Sequence, residues 1–342
     1  MKRILIVNVN WLGDCIMTTP AFKAVKEKFP LSFIAVMAPE RVRDVFSDNP
    51  YIDEVIIFDE KKEHKSFSKK MHFIKQLREK KFDTAFLIHR SFTRALICLL
   101  SGIKTRIGYR RLKNTFVVNK PIASPAANIH KQDYYLYLFE KSGIDIADKF
   151  PRVYIPQQIL GKYKTDIAAI RQKHSYLVGI NPSANWLLKR WPVENFAALS
   201  DRLIKELNCG IFFAGAKADM PVVDRAINNM KEKAYNFCAR TNIKELAALI
   251  QNVDLFISND SGPAHLSASL GINTLVLFGP TSSELSTPRG VAVEILKKSI
   301  GCEVPCYNIN CQDNFCMKSI TVEDVFFKAK DILGKCLTQN LP

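Results

Sequence analysis

Apolar residues in this chain come in short runs separated by stretches of helical periodicity. In the first half, the runs at residues 4–9, 32–38, 54–58 and 84–89 read as strands, with helical patterns between them near 20–28, 40–46, 66–80 and 92–101. Residues 104–109 and 115–118 read as further strands, followed by a helix over roughly 128–142. A second series begins after the proline-bounded stretch 151–156 and a polar helix at 157–173. It runs through a strand at 176–181, a loop at 185–192, a helix from Pro192 to residue 206 and a strand at 211–214. A helix at 220–230, a short strand near 235–237, a helix at 242–252 and a strand at 254–258 follow, then a helix at 261–270 and a strand at 273–278. A cysteine-rich loop at 302–316 precedes the last helix, 321–333. Pro192 suits a first helical turn, where its missing N–H costs nothing. Asn242 with Glu245 three residues on makes a capping box.

Short β-rich runs alternating with helices are the signature of βαβ units on a parallel sheet. The expected class is α/β, with two doubly wound halves, 1–155 and 156–342, and a cleft between them. A chain of 342 residues is long enough for both cores. Neither half carries a Gly-x-Gly-x-x-Gly turn or a Walker-type phosphate loop, which argues against a dinucleotide dehydrogenase or a P-loop enzyme.

Chemistry in such sheets sits where a strand hands over to a helix. After the first strand the chain is expected to turn through Gly13-Asp14 before becoming helical near residue 20, which delivers the Asp14 carboxylate to that position. A plain turn and helix cap accounts for the same two residues. In Ser258-Asn-Asp-Ser-Gly-Pro-Ala-His265 a strand ends in small polar residues and a helix begins at once, a seat for phosphate oxygens on free N–H groups. Ser261 and Gly262 allow close approach. Asp260 would repel phosphate and suits sugar hydroxyls instead. A simple cap on Asp260 or Ser261 is the alternative, and a helical histidine such as His265 is more often packed than catalytic. Lys189 and Arg190 lie in a loop between a strand and a helix N-terminus, where a cation suits a diphosphate. The flanking Trp186 and Trp191 argue for a structured loop over a solvated pair.

Composition narrows the partners. The 49 Lys+Arg against 33 Asp+Glu give a net charge of +16, which favours an anionic partner: nucleic acid, a phosphorylated sugar or an acidic membrane face. The lysines are scattered, and the sequence shows neither a stacking stripe nor a nucleic-acid motif, so no nucleic-acid partner is expected. The start of the chain does not read as a secretory signal, and the longest later apolar run, 95–100, is too short to span a bilayer. The expectation is a cytoplasmic protein with at most peripheral membrane contact. Nine cysteines, an odd number, do not form a disulfide scaffold pattern. Cys302, Cys306, Cys311 and Cys316 are separated by three, four and four residues rather than the Cys-x₂-Cys usual in paired zinc sites, so a metal-free loop is expected.

Together, Asn10-Trp-Leu-Gly-Asp-Cys-Ile-Met-Thr-Thr-Pro20, Lys189-Arg-Trp-Pro192, Ser258-Asn-Asp-Ser-Gly-Pro-Ala-His265 and Phe278-Gly-Pro-Thr281 resemble the glycosyltransferase family 9 heptosyltransferases. Arg106-Ile-Gly-Tyr109 and the spaced cysteines ending in Cys316-Met-Lys318 extend the resemblance over nearly the whole chain. It implies a GT-B architecture, with the acceptor mainly on the N-terminal half and the ADP-sugar mainly on the C-terminal half. The last helix would pack back on the first domain. No metal or other cofactor is implied.

By the same resemblance Asp14 is the catalytic base, Lys189 stabilises the ADP leaving group, Asp260 holds the donor heptose, and Ser261-Gly262 lie under the diphosphate. Asn10, Gly13, Arg190 and His265 are further candidates in these motifs. The implied reaction is inverting transfer of heptose from ADP-heptose to the heptose/Kdo inner core of a lipopolysaccharide precursor, at the anionic inner membrane face. Another family 9 transferase, with a different core position or nucleotide sugar, and a non-catalytic binding module are the alternatives. Two stretches depart from the family pattern: residues 183–188 lack the usual Gly-Ala pair, and Ser-Ser-Glu-Leu follows Thr281.

Overall fold

The first apolar run forms β1 (Arg3–Val7), buried at every residue after Arg3. It lies inside a parallel sheet with β2 (Phe33–Ala38), β3 (Glu54–Ile57), β4 (Thr84–Leu87), β5 (Thr105–Tyr109) and β6 (Lys120–Ile122). The computed structural model describes residues 1–111, 116–306, 308 and 310–339, and counts of elements refer to these. The chain divides into two units, Met1–Tyr154 and Ile155–Pro342.

In the first unit the strand order is β3-β2-β1-β4-β5-β6. Val7 pairs with Met37 on one side and Leu87 on the other. Helices on both faces explain why the central strands read as continuous apolar runs rather than alternating ones. Because the order reverses between β1 and β4, the loops leaving them diverge and open a crevice at their carboxyl ends.

The second unit repeats the plan with β7 (Tyr176–Asn181), β8 (Cys209–Phe213), β9 (Tyr235–Asn236), β10 (Leu255–Asn259), β11 (Thr274–Phe278) and β12 (Val293–Lys297), in the order β12-β11-β10-β7-β8-β9. Here the reversal falls between β7 and β10, where Ser258 stands opposite Asn181. Its core is built from Trp191, Phe196, Phe213 and Leu275. The last helix, Val322–Gln339, adds Val325, Phe326, Ala329 and Leu333 to that core. It packs on helix Val193–Leu207, and the Arg202 guanidinium lies 3.8 Å over the Phe326 ring. Among the described residues no helix is long and apolar enough to cross a membrane.

Several elements differ from the sequence reading. Gly13 and Asp14 do not form a turn; they lie in the first turn of a short helix, Leu12–Met17. The strand expected at 115–118 begins on a residue outside the described set; residues 116 and 117 form a turn, and Val117 and Val118 are core residues. The strand itself is Lys120–Ile122, where Pro121 is tolerated because β6 is an edge strand. The helix expected at 157–173 is interrupted at Gly161, giving Gln157–Leu160 and Lys164–Arg171. β12 was not expected: it is a half-buried edge strand, paired with β11 from Thr274–Val293 onward, and its mixed polar composition hides it.

Candidate active site

In the first unit, the chain leaves β1 through Asn8, which is fully buried and donates from Nδ2 to Thr18 Oγ1 at 2.8 Å. This ties the strand end to the far end of helix Leu12–Met17 and fixes where Asp14 projects. Arg94, buried in helix Phe92–Leu100, donates to Asn8 O and to Asn10 Oδ1, each at 2.7 Å. With its carbonyl so engaged, the Asn10 amide N–H faces His89 Nε2 at 2.9 Å. Burial, and then the Arg94 charge beside it, push the His89 imidazole down to about 4, so it is neutral at physiological pH.

Asp14 lies on the wall of a cavity of about 570 Å³ that Asn10, His89, Arg90, Lys131 and Tyr135 also line. Lys131 Nζ is 3.8 Å from Asp14 Oδ1. The Tyr135 phenol lies beside the Asp14 carboxylate, and burial together with that charge raises the phenol far above its ordinary value. Cys15, next in sequence, is fully buried with its thiol pushed up by desolvation, which makes it a packing residue rather than a nucleophile. A carboxylate facing a cavity, with a phenol and an ammonium beside it, can accept a proton from a bound hydroxyl. Gly13 is buried in the same helix, where it packs against the unit's interior.

In the second unit, Lys189 ends a short 3-10 turn, Leu187–Lys189, and its Nζ lies 2.7 Å from Asp260 Oδ2. Thr281 Oγ1 donates to the same oxygen at 2.7 Å. The loop is held by Trp191, which is 1 % exposed: its backbone N–H donates to Asn259 Oδ1, and its indole Nε1 donates to Ile320 O at 2.8 Å. Arg190 turns back on the loop, donating to Ala184 O at 2.8 Å. Ser261 stands at the N-cap of helix Gly262–Ser269 without a side-chain capping bond; its hydroxyl pairs instead with Ser258 Oγ at 2.9 Å. Of the two readings of this stretch, the plain side-chain cap is the one this geometry disfavours. The first-turn amides at Gly262 start a helix whose dipole attracts anions. His265 is buried inside that helix.

The four spaced cysteines line one cavity of about 560 Å³, together with Gly279 and Thr281. Among the described residues no group of three or more metal-ligating side chains is arranged to hold an ion. Lys189, Asp260, Ser261 and Gly262 therefore gather at the carboxyl ends of β7 and β10, and Asn10 and Asp14 at the end of β1. Sequence reasoning missed His89, Arg94, Lys131, Tyr135 and the direct contact of Thr281. Arg94 had left a signal, a lone cation in the apolar run 92–101; Lys131 and Tyr135 had left none.

The family model for glycosyltransferase family 9 (heptosyltransferase) matches residues 70–314. The chain belongs to that family. It is a glycosyltransferase. Among curated proteins, lipooligosaccharide heptosyltransferase 2 of Campylobacter jejuni is 29% identical over 338 residues, covering 97% of this chain and 98% of that protein. Among solved structures, E. coli ADP-heptose lps heptosyltransferase II superposes with a TM-score of 0.82 at 22% identity, covering 98% of this chain and 99% of that one. E. coli heptosyltransferase WaaC, solved with ADP, gives 0.75 at 18% identity, with 96% and 99% covered. These structures share its GT-B fold.

Proposed function

We propose that this family 9 glycosyltransferase moves a heptose from ADP-L-glycero-D-manno-heptose to the heptose/Kdo inner core of a lipopolysaccharide precursor, in a single displacement with inversion. The observation that carries the reading is the Asp14 carboxylate on the wall of a cavity at the strand-order reversal of the first sheet, flanked by Tyr135 and Lys131. In this account the acceptor hydroxyl gives its proton to Asp14 as its oxygen bonds to the anomeric carbon. The bond from that carbon to the diphosphate oxygen breaks, and the electron pair leaves with ADP. Lys189 and the Gly262 end of its helix meet the diphosphate, and Asp260, relieved of Lys189, accepts hydrogen bonds from heptose hydroxyls. The cation at the leaving group is thus Lys189, and the account uses no metal or other cofactor. ADP in the WaaC structure and the heptosyltransferase 2 name of the Campylobacter relative support the choice of donor and acceptor.

A second reading keeps the chemistry and changes the donor or core position. The unusual Ser-Ser-Glu-Leu after Thr281 favours testing it, because Thr281 touches Asp260. ADP release should be followed with mono-heptosylated core acceptor and ADP-heptose, then with other nucleotide sugars. Turnover preferring ADP-heptose supports the first reading; a higher kcat/KM with another donor establishes the second.

A further inference from the structure

The first unit carries an exposed patch that neither its packing nor the proposed chemistry uses. β3 ends at Ile57, and helix Phe67–Glu79 runs back antiparallel to the strands to enter β4. Residues 58–71 therefore lie at the carboxyl edge of the sheet, the edge that also carries Asn10, Asp14 and His89. The connecting loop is fixed from inside. His64 is buried, with its ring 4.9 Å from Phe58 and 4.8 Å from Phe73. The Asp59 N–H donates to His64 Nδ1, and Asp59 Oδ1 accepts from the backbone N–H groups of Lys61 and Lys62.

A loop held this way presents Lys61, Lys62, Lys65 and Lys69 to solvent. Among the described residues, none of these four ammonium groups is paired with a carboxylate; the ion pairs of this unit lie elsewhere, as at Lys80–Glu54 and Lys26–Asp53. Next to the lysines stand Phe67, 79 % exposed, and Met71, 43 % exposed, one turn apart on the same helix face. A single exposed apolar residue needs no explanation. An exposed Phe-Met pair beside unpaired lysines, which outnumber the one exposed carboxylate of the segment, Glu63, has the chemistry of an interfacial segment: apolar side chains enter the headgroup layer while ammonium groups meet lipid phosphates.

We infer that residues 61–71 dock this protein on a bilayer containing anionic lipid, bringing the sheet edge that carries Asp14 to the lipid plane. The inference rests on the acceptor proposed above being lipid-linked, and it adds to that reading the surface that finds the membrane. It is tested on the full chain by co-sedimentation with vesicles of phosphatidylcholine alone or mixed with phosphatidylglycerol, with duplex DNA as a competing polyanion. The variants are Lys65→Glu/Lys69→Glu and Phe67→Ser/Met71→Ser, each checked for an unchanged melting temperature and for unchanged ADP release on a lipid-free core oligosaccharide.

Docking predicts binding to the phosphatidylglycerol vesicles only, weakened by salt and roughly tenfold or more by the charge reversal. The serine pair should weaken it as well, without removing the salt dependence. Wild-type indifference to phosphatidylglycerol, retention of binding by both variants, or displacement by duplex DNA at equal charge would each overturn it. Sedimentation is read without donor or acceptor, so a failed transfer assay refutes the proposed function and leaves the docking result to be judged by itself.

Discussion

Lys189 Nζ lies 2.7 Å from Asp260 Oδ2, on a carboxylate only 5 % exposed. The pair joins the loop after β7 to the turn after β10, so two strands that flank the order reversal are locked by one charge contact. A buried carboxylate that loses its cation keeps the desolvation cost without the compensation. Lys189→Met is expected to destabilise the fold by about 3 kcal/mol, read as a lower urea midpoint. Lys189→Met with Asp260→Asn should recover much of that stability and none of the ADP release. A double-mutant cycle measures the coupling; zero coupling would mean the pair is incidental.

Trp191 sets the position of Lys189 from two residues away. Its ring packs edge-on against Phe196 at 4.9 Å, and its indole N–H is satisfied by Ile320 O. Trp191→Ala leaves a cavity and an unmet carbonyl, and should cost about 3–5 kcal/mol. Trp191→Phe keeps most of the volume and should cost clearly less. Denaturant titration of the two variants separates packing from the hydrogen bond.

Arg94 plays the corresponding part in the first unit. Its guanidinium holds Asn8 O and Asn10 Oδ1 at the point where β1 gives way to the helix that carries Asp14. Arg94→Met strands both acceptors and is expected to cost roughly 2–4 kcal/mol. The surviving folded enzyme should lose kcat more than donor affinity, since the donor-side residues are untouched. Steady-state kinetics checks the split.

His89 gives a pH signature. Its folded pKa, about 4, lies below its ordinary 6.5, so the unfolded chain binds this proton more tightly than the native one. The group's contribution to stability is fully present above pH 6.5 and is lost as the pH falls toward 4. His89→Gln should remove that component, so the stability gap between wild type and variant narrows from pH 7 to pH 4.5. An NMR titration of the imidazole should give a midpoint near 4.

How much of this was legible in the sequence follows from what each residue depends on. The strand ends that hold Asp14, Lys189 and Asp260 could be located because apolar runs stop abruptly and small polar residues or glycine follow. β12 was invisible because an edge strand needs no continuous apolar run, and Val-Glu-Ile-Leu-Lys is satisfied half exposed. Leu12–Met17 was read as a turn because glycine early in a segment signals a loop more often than a helix. Lys131 and Tyr135 reach Asp14 only because a later helix packs beside Leu12–Met17. No local pattern marks two residues more than a hundred positions away as its neighbours.

The central claim is that Asp14 takes the acceptor proton. The most direct measurement is kcat for ADP release by Asp14→Asn, with ADP-heptose and core acceptor saturating. The account predicts a fall of roughly 10²–10⁴-fold, with the melting temperature and the affinity for ADP held near wild type. A kcat within a few-fold of wild type, in a variant that folds and binds ADP normally, would contradict it.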